Sequence, residues 1–358
     1  MNQSIRRICL TATAACGLLF SPASAQTTAT TDPVGAMTFE VDAKSDLHFG
    51  VSLQRPSLFS GKVLSVNGNT LVLDGSFTQG EFTVEPSYLR VTSGSAEGHW
   101  FSVVSNDGTS VQVGEDLSSY GISSDDEVQI KRFWTVGTLF PEGGGIPGSP
   151  NVFDPEAILF LSDVLSVGIN PAPSVGLLYH SGEQAASGWY DASAPNVNEE
   201  KSGVLVTQET ILTVRNRSNQ AASINLSGAV PNHRLGTFTV SYADSSQDNE
   251  LANPYPVSFT LGSSGLVSSG AVRPSPNVFD PVDVVFVYGG GNAGYNPAPV
   301  GAFLYHSGEQ AAAGWYDASS PNVNDEKSQF IVDGGVAITV RRDDGQTVED
   351  FWLPPVPY

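Results

Sequence analysis

Cysteine is all but missing. The 358-residue chain has two, Cys9 and Cys16, and both fall in a segment read below as removed on export. A chain that reaches an oxidising compartment without thiols has no disulfide staples, so packing, or a bound metal, must hold it. Basic residues are scarce too: 16 Lys and Arg stand against 37 Asp and Glu, for a net charge of −21. A surface of that sign repels nucleic acid and anionic lipid, which excludes a general nucleic-acid-binding role. Long apolar runs are absent beyond the N-terminal segment: nowhere do about 18 consecutive apolar residues occur, so no transmembrane helix is expected. There is no Gly-x-Ser-x-Gly elbow, and the histidines are five, His48, His99, His180, His233 and His306. A triad assembled from distant loops is recognised by geometry, so the sequence nominates no catalytic residue.

What is present points to export and to β structure. Arg6 and Arg7 precede an apolar stretch from Ile8 to Phe20, and Ala23-Ser24-Ala25 follows. This is the pattern of a secretory signal cut after Ala25, so the expected location is the periplasm, cell surface or extracellular space. Cleavage would remove two Arg and no acid, taking the charge from −21 to −23. With 40% hydrophobic residues, 37 Gly and 23 Pro, the chain reads as globular and turn-rich. The expected fold is mainly β: a small N-terminal β-barrel or sandwich-like module, then a duplicated β-rich subdomain.

The expected boundaries run as follows. After the signal (1–25), a Thr-rich polar lead-in covers 26–45 and a β module covers 46–140. Within that module Asn67-Gly68-Asn69 and Asn106-Asp107-Gly108 separate short β-rich runs, as tight hairpin turns require. A Gly/Pro linker spans 141–148. Repeat unit 1 covers 149–216, an intervening β-rich segment 217–274, and repeat unit 2 with the C-terminal tail 275–358.

The duplication is the strongest signal. Ser149-Pro150-Asn151-Val152-Phe153-Asp154-Pro155 returns from Ser275, an offset of 126 (275 − 149). The same offset superimposes Asn170-Pro171-Ala172-Pro173 on Asn296-Pro297-Ala298-Pro299, and Tyr179 to Ala186 on Tyr305 to Ala312. A period this long is a duplicated subdomain, not a solenoid repeat. Two readings of the identical stretches stand side by side: turns that accept few residues, or a site present twice.

Three segments carry a resemblance: Thr31-Asp32-Pro33-Val34-Gly35 after the signal, Thr92 to Gly98 in a turn, and Trp134-Thr135-Val136-Gly137-Thr138-Leu139-Phe140 near the end of the β module. They resemble an uncharacterised family of conserved hypothetical exported proteins of Gram-negative bacteria. The resemblance implies an exported β-rich protein and brings no activity, substrate or catalytic residue with it.

Two constellations could carry chemistry. Trp189-Tyr190 and Trp315-Tyr316 offer flat rings on which the CH faces of a sugar stack; in a β-rich protein such rings also serve as core. Asp191, Asn196, Asn198 and Glu199, with Asp317, Asn322, Asn324 and Asp325 in the second copy, place oxygen ligands on Pro-bearing loops. Ca²⁺ takes six to eight such oxygens, so Ca²⁺ is the one cofactor these loops suggest, although acidic Asn-rich turns also occur without metal. His180-Ser181-Gly182-Glu183 supplies only two zinc ligands, fewer than a zinc site needs. The sequence therefore predicts an exported non-catalytic envelope or extracellular protein, structural or adhesive. The alternative is a polysaccharide-binding module, calcium-assisted, and third a secreted hydrolase. The expected partners are cell-surface polysaccharide or other envelope proteins.

Overall fold

The computed structural model describes residues 32–162, 167–289, 293–343, 345 and 347–358. The expected signal, its cleavage site and both cysteines lie outside them.

Strands β1 (Val34–Val41) and β2 (Ser45–Gly50) come first. Six strands follow: β3 (Ser57–Asn67), β4 (Thr70–Leu73), β5 (Ser87–Val91), β6 (Trp100–Asn106), β7 (Ser110–Val113) and β8 (Glu127–Arg132). They close into a barrel in the order β3-β4-β7-β6-β5-β8. Both predicted turns join neighbours here. Gly68 takes a φ of 60° between β3 and β4, a conformation that glycine adopts without a Cβ clash. Asp107 Oδ1 accepts the Thr109 and Ser110 N–H groups between β6 and β7. Val63, Leu71, Leu89, Phe101, Val111 and Ile130 fill the barrel.

After β9 (Trp134–Thr135) and the one-turn helix α1 (Val136–Leu139), the first repeat forms β10 (Ala157–Ser162), β11 (Val175–His180), β12 (Gly188–Asp191), β13 (Leu205–Val206) and β14 (Ile211–Asn216). Strands β15 (Ala222–Ala229), β16 (Thr237–Ser241), β17 (Gln247–Ala252) and β18 (Phe259–Thr260) fill the interval. The second repeat forms β19 (Asp283–Val287), β20 (Gly301–His306), β21 (Gly314–Asp317), β22 (Ile331–Val332) and β23 (Ala337–Arg342), and β24 (Val348–Trp352) ends the chain's strands.

The repeats build two matching five-stranded sheets, β12-β11-β10-β14-β2 and β21-β20-β19-β23-β17. Their registers correspond: Leu177 opposes Asp191 as Phe303 opposes Asp317. In each sheet the fifth strand comes from outside the duplicated unit. Strand β2, expected within the N-terminal module, instead pairs with β14 from Gly50↔Ile211 to Ser45↔Asn216. The expected polar lead-in likewise contains β1, which pairs along its whole length with β15. Its alternation was masked by Thr and Glu on the outer side; Phe39 turns inward and stacks on Phe49 at 4.6 Å.

Strand alternation gives each sheet two faces. One face packs on the sheet's own core: Phe49, Leu159, Trp189, Leu212 and Val214 in the first, Leu251, Val285, Trp315, Ile338 and Val340 in the second. The edge strands β2 and β17 bring the two sheets together. Gly50 sits so close to Ala252 there that a Cβ at residue 50 would overlap the alanine methyl.

Candidate functional site

The residues nominated for sugar stacking are core. Trp189 and Trp315 are each 2% exposed and sit in the two sheet cores. Tyr190 and Tyr316 face the other side of the same short strands and are covered by Val152 and Val278. Each phenol donates to a backbone carbonyl four residues earlier, of Ala186 and Ala312, at 2.9 Å. No ring face remains for a ligand, so stacking on these pairs is corrected to packing.

The side chains nominated for calcium make local hydrogen bonds and ion pairs. Asp191 Oδ1 accepts from Ser193 N, Ser193 Oγ and Ala194 N, and these bonds, the Ser193 hydroxyl's first, hold its carboxyl below the usual range. Asp317 Oδ1 accepts from Ser319 N and Ser320 N. Asn196 and Asn322 cap the Asn198 and Asn324 N–H groups at 3.1 Å. Glu199 and Asp325 pair with Lys201 and Lys327. One oxygen of each aspartate thus serves local backbone, the acids that follow serve lysines, and among the described residues no three His, Cys, Asp or Glu side chains converge on one point. The His-Ser-Gly-Glu turn is also structural: buried His180 donates from Nδ1 to the Ser149 carbonyl at 2.7 Å, and Nε2 accepts from the Gln184 and Ala185 N–H groups.

The functional geometry lies elsewhere, between the outer faces of the two sheets. A cavity of about 740 Å³ opens there, lined from both repeats. Its walls are pairing rows read across each sheet. Phe160, Thr213 and His48 stand in one row of the first sheet; Phe286, Thr339 and Glu250 stand in the matching row of the second. The next row holds Arg215 beside Asp46, and its counterpart holds Arg341 beside Asp248.

Both ion pairs are two-pronged. Arg215 Nε and Nη2 reach Asp46 at 2.8 Å each, and Arg341 reaches Asp248 at 2.7 and 2.8 Å. The loops carrying the repeated Asn-Pro-Ala-Pro then cross between sheets. Asn170 N–H donates to Asp248, and Asn296 N–H donates to Asp46, both at 2.8 Å. Each asparagine takes a left-handed φ, 47° and 49°, which Asn tolerates better than most residues. Each repeat's loop is therefore clasped by the other sheet's fifth strand.

The two-fold correspondence fails inside the cavity. His48 lies where the second sheet has Glu250, and Ser162 lies where it has Tyr288. His48 Nδ1 is 2.7 Å from the Thr213 hydroxyl, and its ring sits 5.3 Å from that of Tyr288. Burial, reinforced by Arg215 against the opposing pull of Asp46, lowers the imidazole's pKa. Glu250 shares a hydrogen bond with Ser162, but burial and the nearby Asp248 raise its pKa. Its Oε2 is buried and has no hydrogen-bond partner among the described residues. Burial also raises Tyr288, whose hydroxyl bonds Thr339. The result is a cavity whose Asp46–Arg215 and Asp248–Arg341 charges are paired and whose other hydrogen-bonding groups, His48, Glu250 and Tyr288, are shifted toward their neutral forms.

Sequence reasoning placed none of these residues in a site. A faint signal existed: Ser45-Asp46-Leu47-His48-Phe49-Gly50 and Gln247-Asp248-Asn249-Glu250-Leu251-Ala252 share Asp-x-polar-apolar-small. The chain matches no family model, no curated protein and no solved structure.

Proposed function

We propose that the protein is an exported, non-catalytic binding protein of the envelope or extracellular space, and that its ligand occupies the cavity between the two five-stranded sheets. The observation that carries this reading is the cavity itself. It has the size of a small-molecule site, it joins two halves of a duplicated fold, and its lining mixes apolar walls with a few convergent polar groups. Export rests on the Arg6-Arg7 start, the short apolar run and Ala23-Ser24-Ala25.

The non-catalytic reading rests on the hydrogen bonds. His48 and Thr213 form the histidine–hydroxyl pair of the cavity that a nucleophilic mechanism would use. The carboxylate on the same face of β2, Asp46, is committed to Arg215 and to the Asn296 N–H, so it does not orient the imidazole. A purely structural or adhesive role would use the same crossed loops and leave the cavity as a packing defect.

The test is a melting-temperature screen of the mature chain against neutral sugars, amino acids and small amines, run beside Ala337→Trp. Ala337 lines the cavity and is 4% exposed, so the indole fills it. Ligand at about 100 times Kd adds about 2.7 kcal/mol to stability. One class of compound should raise the melting point of the wild type and leave Ala337→Trp unmoved. No response to any class returns the protein to a structural role.

A further inference from the structure

We infer that the cavity receives the positively charged group of a small organic cation, an amine or a guanidine, and that Glu250 is the residue that binds it. The inference rests on the cavity being a ligand site and names the chemistry of its ligand.

The charge inventory leads there. The cavity lining has four carboxylate or guanidinium side chains, Asp46, Arg215, Asp248 and Glu250. Three are matched: Asp46 with Arg215, and Asp248 with the neighbouring Arg341, each pair two-pronged. Glu250 is the fourth, and among the described residues no cation answers it. One of its oxygens is buried without a partner, while Ser162 serves the other. A half-buried carboxylate with one oxygen in that state awaits either a proton or a positive donor.

The alternatives fit less well. An anion would meet guanidiniums already committed to aspartates and a third acid facing it. A neutral sugar could donate a hydroxyl to Oε2 but would leave the carboxylate's charge uncompensated in a partly dry site. A bare divalent ion wants several oxygen ligands, and no such group of side chains converges among the described residues. An organic cation neutralises Glu250, donates to the open oxygen, and can lay its charge beside the Tyr288 ring. Arg215 and Arg341 already use that last contact, lying 5.4 Å from the Phe160 ring and 5.0 Å from the Phe286 ring. The chain's net charge of −21 also concentrates cations around the molecule.

Agmatine, putrescine and glucose are titrated calorimetrically into the mature chain at fixed ionic strength, with Glu250→Gln and Ala337→Trp in parallel. Agmatine or putrescine should bind the wild type, lose at least tenfold in affinity in Glu250→Gln, and fail to bind Ala337→Trp. Agmatine stays cationic between pH 7 and pH 4, so its affinity for the wild type should fall as Glu250 protonates. The groups facing that carboxyl are Asp248 on its own strand, Arg341 on β23, Tyr288 after β19, and His48 and Arg215 across the cavity. Any charge that His48 gains on acidification pushes in the same direction, so Glu250→Gln separates the two. Equal cation affinity in wild type and Glu250→Gln overturns the inference. So does binding retained in both variants, which marks adsorption to the acidic surface. Glucose bound by wild type and Glu250→Gln but not by Ala337→Trp keeps the cavity reading and overturns the cation. No binding by any probe, with Ala337→Trp as stable as wild type, overturns both.

Discussion

Replacing Asp248 by alanine should remove the second sheet's clasp, and the structure sets the size of the loss. The Asp248 side chain is 2% exposed and accepts three bonds: two from Arg341 at 2.7 and 2.8 Å, one from the Asn170 N–H at 2.8 Å. Breaking one side of a buried ion pair costs about 3–5 kcal/mol, because the other charge is left without a partner. Arg341 keeps 31% of its side-chain surface in water, which places the cost near the low end, about 3 kcal/mol. At about 2 °C per kcal/mol for a chain of this length, the melting point should fall by about 6 °C. Urea unfolding measures it directly, as a lower midpoint with an unchanged slope. Two companions fix the interpretation. Asp154→Ala removes an exposed pair with Arg217 at 3.2 Å, where the side chains are 77% and 39% exposed, and should cost under about 0.5 kcal/mol. Asp248→Ala with Arg341→Met should recover part of the loss, since no orphan charge remains. An Asp248→Ala variant no less stable than Asp154→Ala would refute the claim that the crossed loop holds the halves together.

Four further outcomes follow from the same geometry. His233 is buried, and burial first, then Arg90 and Lys131, pushes its imidazole down from 6.5 to about 3. Between those values the unfolded chain binds the extra proton, so stability falls with falling pH; from pH 7 to 5 this one residue accounts for about 2 kcal/mol, and His233→Gln should flatten that slope. Glu250 is shifted the other way, so its ionisation opposes folding as pH rises through its raised value; Glu250→Gln should be the more stable protein at pH 7, with the gap closing toward pH 4, and a gap that widens on acidification would contradict the assignment. Gly50→Ala should cost about 1–3 kcal/mol by overpacking against Ala252, whereas Gly203→Ala, with open space around it, should change stability little in parallel melts. Ca²⁺, Mg²⁺ and NaCl at matched ionic strength should shift the melting point equally, because Asp191 and Asp317 each already commit one carboxylate oxygen to backbone N–H groups; a calcium-specific rise would assign the loops a metal.

Those parts of the fold with a local cause were legible in the sequence. Asn67-Gly68-Asn69 and Asn106-Asp107-Gly108 encode their hairpins in the turn residues themselves, and the barrel follows from short strands at that spacing. The gapless offset carries strand register from one copy to the other, so β10, β11, β12 and β14 reappear as β19, β20, β21 and β23. What the sequence concealed was partnership at long range. Strand β2 pairs with β14 some 165 residues later, and β1 with β15 at a still greater distance. Neither carries a local mark of its partner, and Thr38 and Glu40 made β1 look like a polar leader. The Trp-Tyr pairs misled for a related reason: aromatic type is visible in a sequence, whereas the neighbour that covers a ring is not. Val152 covers Tyr190 from a turn nearly forty residues earlier.

The cavity was hidden by its own origin. A search for repeated chemistry looks inside the repeated segments, and there it finds turns, core aromatics and the Asn-Pro-Ala-Pro loops. Two of the groups that distinguish one half of the cavity from the other, His48 and Glu250, stand on strands supplied from outside the duplication, 202 residues apart (250 − 48) and off the 126-residue offset (275 − 149). Duplication alone would place like beside like, two histidines or two glutamates, and like charges confined together repel. Recruiting each fifth strand separately freed those positions to differ. The symmetric elements, Asp46–Arg215 and Asp248–Arg341, kept the clasp that holds the halves. The asymmetric ones, His48 facing Tyr288 and Glu250 facing Ser162, provide a site with a direction, which a small ligand with one charged end requires.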